Sequence, residues 1–240
     1  VAVIKGVGAG IGVASTAVGV LVKKSVDAYS SYEQLVGGVN TLFGAGDKSL
    51  EEYAKSVGKT TDEVKDKYDS LMSAQSTVME NAAKAYNTAG LSANAYMEQI
   101  TGFSASLVQS LGGDTEKAAE VGNRAIIDMS DNANKIGTSM EMIQNAYQGF
   151  AKQNYTMLDN LKLGYGGTKE EMKRLISDAS EMTDIQEKLN VSVEDGSLDF
   201  GNIINAISVM QASLGIAGTT SKEAASTIEG STNAMKASWD

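Results

Sequence analysis

None of the 240 residues is proline, and this absence constrains the fold more than any other feature of the sequence. Proline interrupts helices because it lacks a backbone N–H and its ring clashes with the preceding turn. An average chain is about 5% proline, so a chain of this length without any favours long, uninterrupted helices. Alternating apolar residues occur only in a short stretch near 190–197, which reads as a loop. We therefore predict an all-α protein.

Capping signals and glycines mark where the helices begin and end. In a capping box, a Ser or Thr followed three residues later by Glu satisfies backbone N–H groups at the start of a helix. The chain carries five such boxes: Ser49/Glu52, Thr60/Glu63, Thr138/Glu141, Thr168/Glu171 and Thr220/Glu223. Glycines follow most of the apolar-periodic segments and are typical of helix ends. We expect a series of amphipathic helices joined by Gly-rich turns, forming an elongated helical bundle in an oligomer.

The residue pattern divides the chain into three regions. Residues 1–46 contain a Gly-rich apolar helix and a following amphipathic helix, residues 47–90 form a polar helical module, and residues 91–240 are a Met- and Ala-rich run of helices. Because the sequence starts at Val1 and not at Met, we expect it to be an internal part of a longer protein.

The segment Thr138–Thr168 has the pattern of one helix that ends in glycines. Seven of its residues follow at steps of three and four and would form a single stripe on that helix. They are Met140, Ile143, Tyr147, Phe150, Asn154, Met157 and Leu161. A stripe of this kind is typical of helices that pack against other helices, as in a coiled coil. We predict that it forms an oligomer seam.

Asn154 is the polar member of this stripe, and it permits two interpretations. An amide within a helical seam fixes register and the number of helices, because its hydrogen bonds are met only in one alignment. Alternatively, Asn154 lies at the edge of the stripe and is solvated.

A stretch of 17 residues without charge, Gly6–Val22, lies between Lys5 and Lys23. Small residues recur in it with a spacing that lets helix backbones approach closely. The residues of this close-packing or membrane segment are Gly6, Gly8, Gly10, Gly12 and Ala14. The segment is at the lower limit for crossing a bilayer, so it permits three interpretations: a tightly packed helix, a membrane-active segment, or a flexible linker.

The composition excludes several kinds of chemistry. The chain has no Cys and no His, which removes disulfides, thiolate nucleophiles, the usual zinc ligands and the usual proton shuttle. The net charge is −10, with 20 basic and 30 acidic residues, and it disfavours nucleic acid as a specific partner. Most adjacent acidic pairs fall in first helical turns, where they stabilise the helix dipole. We predict no enzymatic activity, no cofactor and no metal.

The chain resembles the tail tape measure proteins of long-tailed phages and related contractile bacteriocins. The resemblance rests on six runs: YEQLVGGVNTLF (32–43), YNTAGLSANAYM (86–97), GFSASLVQSLGGD (102–114), MSDNANK (129–135), NAYQGFAKQNYTMLDNLKLGYGGT (145–168) and GTTSKEAASTIEGS (218–231). Residues 91–240 carry most of it, and residues 50–76 carry little. The long ruler coiled coil and the hydrolase domain of some members do not occur in this sequence.

The resemblance implies a helical structural protein of the virion, located inside the tail tube near the tail tip or baseplate. Such a protein sets tail length during assembly and assists genome ejection. The implied partners are further copies of itself, as a homotrimer, together with tail tube and tail-tip or baseplate hub proteins. The host membrane is a further partner if residues 6–22 insert into it on ejection, which would place the protein in the host cell envelope. A membrane-active channel-forming protein and a cell-wall hydrolase fragment are the two alternatives.

Overall fold

A computed structural model of the protein describes residues 30–226, and the structural statements below concern these residues. The described residues contain helices and no strand, which confirms the predicted all-α class. The elements in chain order are α1 (30–42), α2 (Leu50–Ser56), α3 (Thr61–Ala89), α4 (Ala93–Ser110), α5 (Thr115–Ile136), α6 (Met140–Ala151), a short 3-10 helix (Leu158–Leu161), α7 (Lys169–Glu181), α8 (Thr183–Leu189), α9 (Phe200–Ser213) and α10 (Thr219–Ser226).

Two of the five capping boxes form as predicted, at the starts of α2 and α3. The backbone N–H of Ser49 donates to the Glu52 carboxylate at 2.9 Å, and the Ser49 hydroxyl accepts from the Glu52 N–H at 3.3 Å. At α3 the Glu63 carboxylate accepts from the Thr60 N–H at 2.9 Å and lowers its own pKa by doing so. These boxes are local in sequence, which is why the pattern alone locates them.

The box at α7 forms only in part. The Thr168 hydroxyl accepts from the Glu171 N–H at 3.1 Å. The Glu171 carboxylate does not return to Thr168 but accepts from the Gly166 N–H at 3.1 Å and pairs with Arg174. Arg174 also lies over the Tyr165 ring, 4.3 Å from its centroid. The Arg174 hydrogen bond holds the pKa of Glu171 low, at about 2.

The remaining two boxes were wrong predictions. Ser139, and not Thr138, caps α6 by accepting from the Met142 N–H at 3.3 Å. The Thr138 hydroxyl instead donates to the carbonyl of Asn160. At α10 the helix starts at Thr219, and the Thr220 N–H donates to a carboxylate of α5. At α6 the local cap lies one residue later than predicted, and at α10 a tertiary contact replaces it.

The predicted single helix Thr138–Thr168 was also wrong, because α6 ends at Ala151. Gln153 adopts a positive φ of 58°, and the chain turns back so that the Asn154 N–H donates to the Gly149 carbonyl at 2.9 Å. A Cβ on Gly149 would lie 3.0 Å from the Asn154 carbonyl oxygen, so a glycine fits this return best. The turn brings Tyr155 onto Phe150, with ring centroids 6.4 Å apart. A straight helix would place Tyr155 on a different face from Phe150, and the turn lets both be buried.

The segment after Gly167 is likewise two helices and not one, because the chain breaks at Met182 between α7 and α8. The Gln186 side chain donates to the carbonyls of Ala179 and Ser180 at the end of α7. A side chain of α8 therefore stabilises the break between the two helices.

The centre of the fold is α5, which packs against α3, α4, α6, α9 and α10. Its inner face contributes Ala125, Ile126 and Met129, each almost completely buried, to a core that extends from Val39 to Ile216. Because α3 shares this core with α4 and α5, the helices fold back on one another within the described residues. The division into regions 1–46, 47–90 and 91–240 stays a prediction, although the core continues across residue 90.

Candidate functional site: a buried polar ladder between α5 and α9

A row of polar side chains lies between α5 and the parallel segment formed by α9 and the start of α10. We call this row the polar ladder, and its members on α5 are Arg124, Asp128 and Asp131. Arg124 donates to Asn205 Oδ1 at 2.8 Å, and the Ser208 hydroxyl of α9 donates to the Asp128 carboxylate. The Asp131 carboxylate accepts from the backbone N–H of Gly218 at 2.5 Å. Steps of four and three residues place the α5 members on one face.

The acidic members of the polar ladder are buried. Asp128 is 5% exposed and Asp131 is 0% exposed. Burial raises the pKa of Asp128 from its ordinary value near 3.8 to about 7, although the Ser208 hydrogen bond and the Arg124 charge act in the opposite direction. Burial also lowers the pKa of Arg124. The carboxyl of Asp128 is therefore shared between its neutral and ionised forms near neutral pH.

Asp131 serves as the N-terminal cap of α10 although it belongs to another helix. Its two carboxylate oxygens accept from the backbone N–H groups of Gly218, at 2.5 Å, and Thr220, at 2.8 Å. These donors belong to the helix start, where backbone N–H groups lack intrahelical partners. A negative charge at this position is also favourable for the helix dipole.

Several polar atoms of this interior have no hydrogen-bond partner within the described part of the chain. They are the Tyr147 hydroxyl, the Ser130 hydroxyl, the Asn132 side-chain oxygen and both polar atoms of the Gln211 amide. Burial, together with the nearby Asp128, raises the pKa of Tyr147 well above its ordinary value. An unpartnered buried polar atom costs about 1–3 kcal/mol, so the region between α5, α6 and α9 is less favourable than its apolar surroundings.

The Ser208–Asp128 pair of the polar ladder is closed to solvent, and this decides what the pair can do chemically. Ser208 is 2% exposed and Asp128 lies against it, so a substrate cannot reach the Ser–Asp pair. Nucleophilic catalysis needs a reacting atom within hydrogen-bond reach of such a pair. The arrangement joins helices, and it places a titrating acid inside the core.

Two clefts open elsewhere on the described surface. One, of about 260 Å³, lies between α4 and α6 and is lined by the amides of Gln99, Gln144 and Gln148 over Phe103 and Met129. The other, of about 320 Å³, lies where α4, the turn after α6 and the start of α9 meet. Both are smaller than, or at the lower limit of, typical ligand pockets. No group of three or more acidic side chains in the described range is arranged to hold a metal ion.

The structure places the predicted seam residues in the interior of a single chain. Ile143, Tyr147, Phe150 and Leu161 are between 0% and 1% exposed, and Met140 and Met157 pack against the same core. They do not form one stripe, because Met157 and Leu161 follow the end of α6. The continuous seam is therefore corrected to a set of core positions, while self-association of the chain stays a prediction.

Asn154 matches the second interpretation, since it is exposed in the turn after α6. Its side-chain oxygen accepts from the Thr156 N–H at 3.1 Å and from the Thr156 hydroxyl at 2.8 Å. This is the local turn that Asn side chains stabilise, and it needs no second copy. The close-packing or membrane segment with Gly6, Gly8, Gly10, Gly12 and Ala14 lies outside the described residues.

The polar ladder is not among the predictions made from the sequence. The sequence of α5 nevertheless contains an indication of the polar ladder. On a helical projection, Asp128 and Asn132 lie next to the inward residues Ala125 and Met129. A carboxylate next to the apolar face of a central helix indicates a buried, paired acid. Its partners, Ser208 and Gly218, lie 80 and 87 residues away in sequence, so the pattern of α5 alone does not reveal them.

No protein-family model, curated protein or solved structure matches this chain. None of the described helices combines the length and the hydropathy that crossing a bilayer requires.

Proposed function

We propose that this chain is a structural part of a phage tail or of a related contractile bacteriocin, located in the tail tube lumen near the tail tip or baseplate. In this role it takes part in setting tail length and in genome ejection. The proposal rests on the resemblance of its sequence runs to tail tape measure proteins, together with what those runs do in the fold.

The observation that carries the proposal furthest is the folding of the longest run, residues 145–168. Its large apolar side chains enter one core: Tyr147, Phe150, Tyr155, Leu158, Leu161, Leu163 and Tyr165 are at most 8% exposed. The backbone of this run also packs closely against itself, since a Cβ on Gly167 would lie 2.2 Å from the carbonyl oxygen of Thr156. The residues that carry the resemblance are used for packing, which supports a structural role over a catalytic one.

We propose an elongated helical bundle with Gly-rich turns that self-associates as a homotrimer and contacts tail tube and tail-tip or baseplate hub proteins. The buried positions of α6 are not available for such contacts, so self-association would use exposed apolar residues such as Met142 and Leu214, which are 46% and 52% exposed. Native mass determination of the full chain tests this, and a stable monomer at micromolar concentration would contradict it.

Complementation of a deletion tests the proposed function in the virus or bacteriocin that encodes the chain. Deleting the gene should abolish tails or make their lengths irregular, and supplying the intact protein should restore them. Phe150→Asp, which puts a charge into the core, should fail to restore tails. Asn145→Asp, at an exposed polar position of the same helix, keeps the protein folded and serves as the matched control. Particles with normal tails after deletion would contradict the proposal.

A membrane-active role for residues 6–22 is a second candidate, supported by their 17 uncharged residues. The full chain should release dye from liposomes, and Gly12→Lys should reduce the release because a charge in a membrane segment is costly. Unchanged release by this variant would remove the segment from the proposal. Zymography on peptidoglycan tests the alternative that the chain is a cell-wall hydrolase fragment. A cleared band would support that alternative.

A further inference from the structure

The last described helix, α10, lies on α3 and α5 without a buried side chain of its own. None of the residues Thr219–Ser226 is buried, whereas α9 before it buries ten of its fourteen residues. The last apolar anchor ahead of α10 is Ile216, which is 2% exposed. Hydrophobic burial, the main driving force of packing, therefore contributes little to the attachment of these eight residues.

One buried side chain of α5 accepts two backbone hydrogen bonds at the start of α10. The Asp131 carboxylate holds the N–H groups of Gly218 and Thr220 with its two oxygens, and the Thr219 hydroxyl lies 3.4 Å from Oδ1. A helix capped by its own residue carries the cap along when it moves. The cap of α10 remains on α5, so α10 loses it when it leaves that surface.

Docking and helix formation of α10 are coupled for the same reason. The first N–H groups of a helix have no partner within the helix, so the helix start depends on the group that caps it. Once separated from Asp131, the segment 219–226 loses both its cap and its supporting surface. Two states follow: docked with the Asp131 cap, or released without it.

We propose that Asp131 is a latch that sets whether α10 is docked, so that α10 detaches from the domain while α5 and α9 stay folded. This goes beyond the proposed function, since it assigns a separable helix and its controlling residue and would hold in any protein containing this domain.

Hydrogen exchange measured by mass spectrometry on the full chain tests the latch. In the wild-type protein, amides of 219–226 should exchange faster than those of α5 and α9, and low urea concentrations should leave their exchange nearly unchanged, as expected for local opening. Asp131→Asn keeps the size of the side chain but removes the charge and one acceptor. It should accelerate exchange of 219–226 by about 2- to 30-fold, the range expected from loss of a cap, and leave α9 unchanged.

Asp114→Asn is the matched control, because Asp114 caps α5 itself by accepting from the Lys117 N–H at 2.9 Å. It should leave exchange of 219–226 as in the wild type. If the Asp131→Asn protein does not fold, the wild-type measurement still tests whether 219–226 opens separately from the core. The latch is overturned if wild-type 219–226 exchanges only together with the core, or if a folded Asp131→Asn protein protects 219–226 as well as the wild type does.

Discussion

The hydroxyl of Ser208 on α9 donates a hydrogen bond to the carboxylate of Asp128 on α5, in a part of the core where Asp128 is only 5% exposed. The bond joins the two parallel helices at the middle of the polar ladder. It also leaves an acid with a pKa of about 7 in the interior, because burial favours the neutral carboxyl more than Ser208 and Arg124 favour the carboxylate. The burial of this acid therefore makes stability depend on pH.

We predict that the free energy of unfolding falls as pH rises from about 4 to about 7. Folded Asp128 keeps its proton up to about pH 7, whereas the unfolded chain loses it near 3.8, so the native state binds more protons in this window. The stabilisation is complete below the unfolded pKa and is lost as pH passes the folded one, by on the order of 4 kcal/mol. Urea denaturation at a series of pH values measures it.

The variant Asp128→Asn should flatten this slope, because an amide does not titrate and still accepts from Ser208. Glu171→Gln is the control. The pKa of Glu171 is lowered to about 2, so its contribution is present above about pH 4.5 and is lost only as pH falls toward 2. The slope between pH 5 and 7 should therefore survive this substitution. An equal slope in the Asp128→Asn protein would contradict the assignment.

Tyr147→Phe should leave stability unchanged or raise it by about 1 kcal/mol, because the variant removes a buried hydroxyl that lacks a partner. Tyr96→Phe is the matched comparison, since Tyr96 is also completely buried but donates to Asn123 Oδ1 at 3.0 Å. Its loss should cost about 1 kcal/mol. Thermal unfolding of both variants measures the difference, and an equal loss in both would indicate a partner for Tyr147.

Gly167→Ala should destabilise the fold by about 2 kcal/mol or more, because its Cβ would lie 2.2 Å from the carbonyl oxygen of Thr156 and the backbone would have to shift. Gly166→Ala, one residue earlier, places its Cβ 3.6 Å from Glu171 Cγ, which is an ordinary contact. This neighbour should be close to neutral. Chemical denaturation of both variants distinguishes two explanations. Either the close approach at Gly167 causes the loss of stability, or the loop tolerates no substitution at all.

Asn154→Leu should lower the free energy of unfolding by about 1 kcal/mol, because the hydrogen bonds with Thr156 are lost. It should leave the oligomeric state of the protein unchanged. Phe150→Ala, four residues earlier and buried, should cost about 3–5 kcal/mol. Light scattering and thermal unfolding provide the two measurements. A change of oligomeric state in the Asn154→Leu protein would restore the seam that the sequence suggested.

The bounds of most helices were predictable because their signals are local. Ser92 caps α4 and Asp114 caps α5 within their own first turns, and Gly90 and Gly137 end α3 and α5 in left-handed conformations. A side chain that bonds to a backbone group three residues away does so in any context.

The end of α6 was not predictable in the same way. Helical periodicity continues through Met157 and Leu161, but burying Tyr155 against Phe150 requires the chain to turn back over Gly149. Whether the turn is better than one more helical turn depends on the surfaces of other helices, and the segment itself does not contain that information. The candidate site was missed for a related reason, because the polar ladder pairs residues far apart in sequence.

The sequence by itself determined the all-α class, the excluded chemistry and most helix starts, since absence of proline, composition and capping act on the chain locally. The tertiary structure alone decided which stripe residues become core, which helix carries the cap of α10, and that Asp128 remains in the interior. Each of these depends on burial or on a hydrogen bond between distant segments. The free energies of such contacts exist only once the helices have packed against one another.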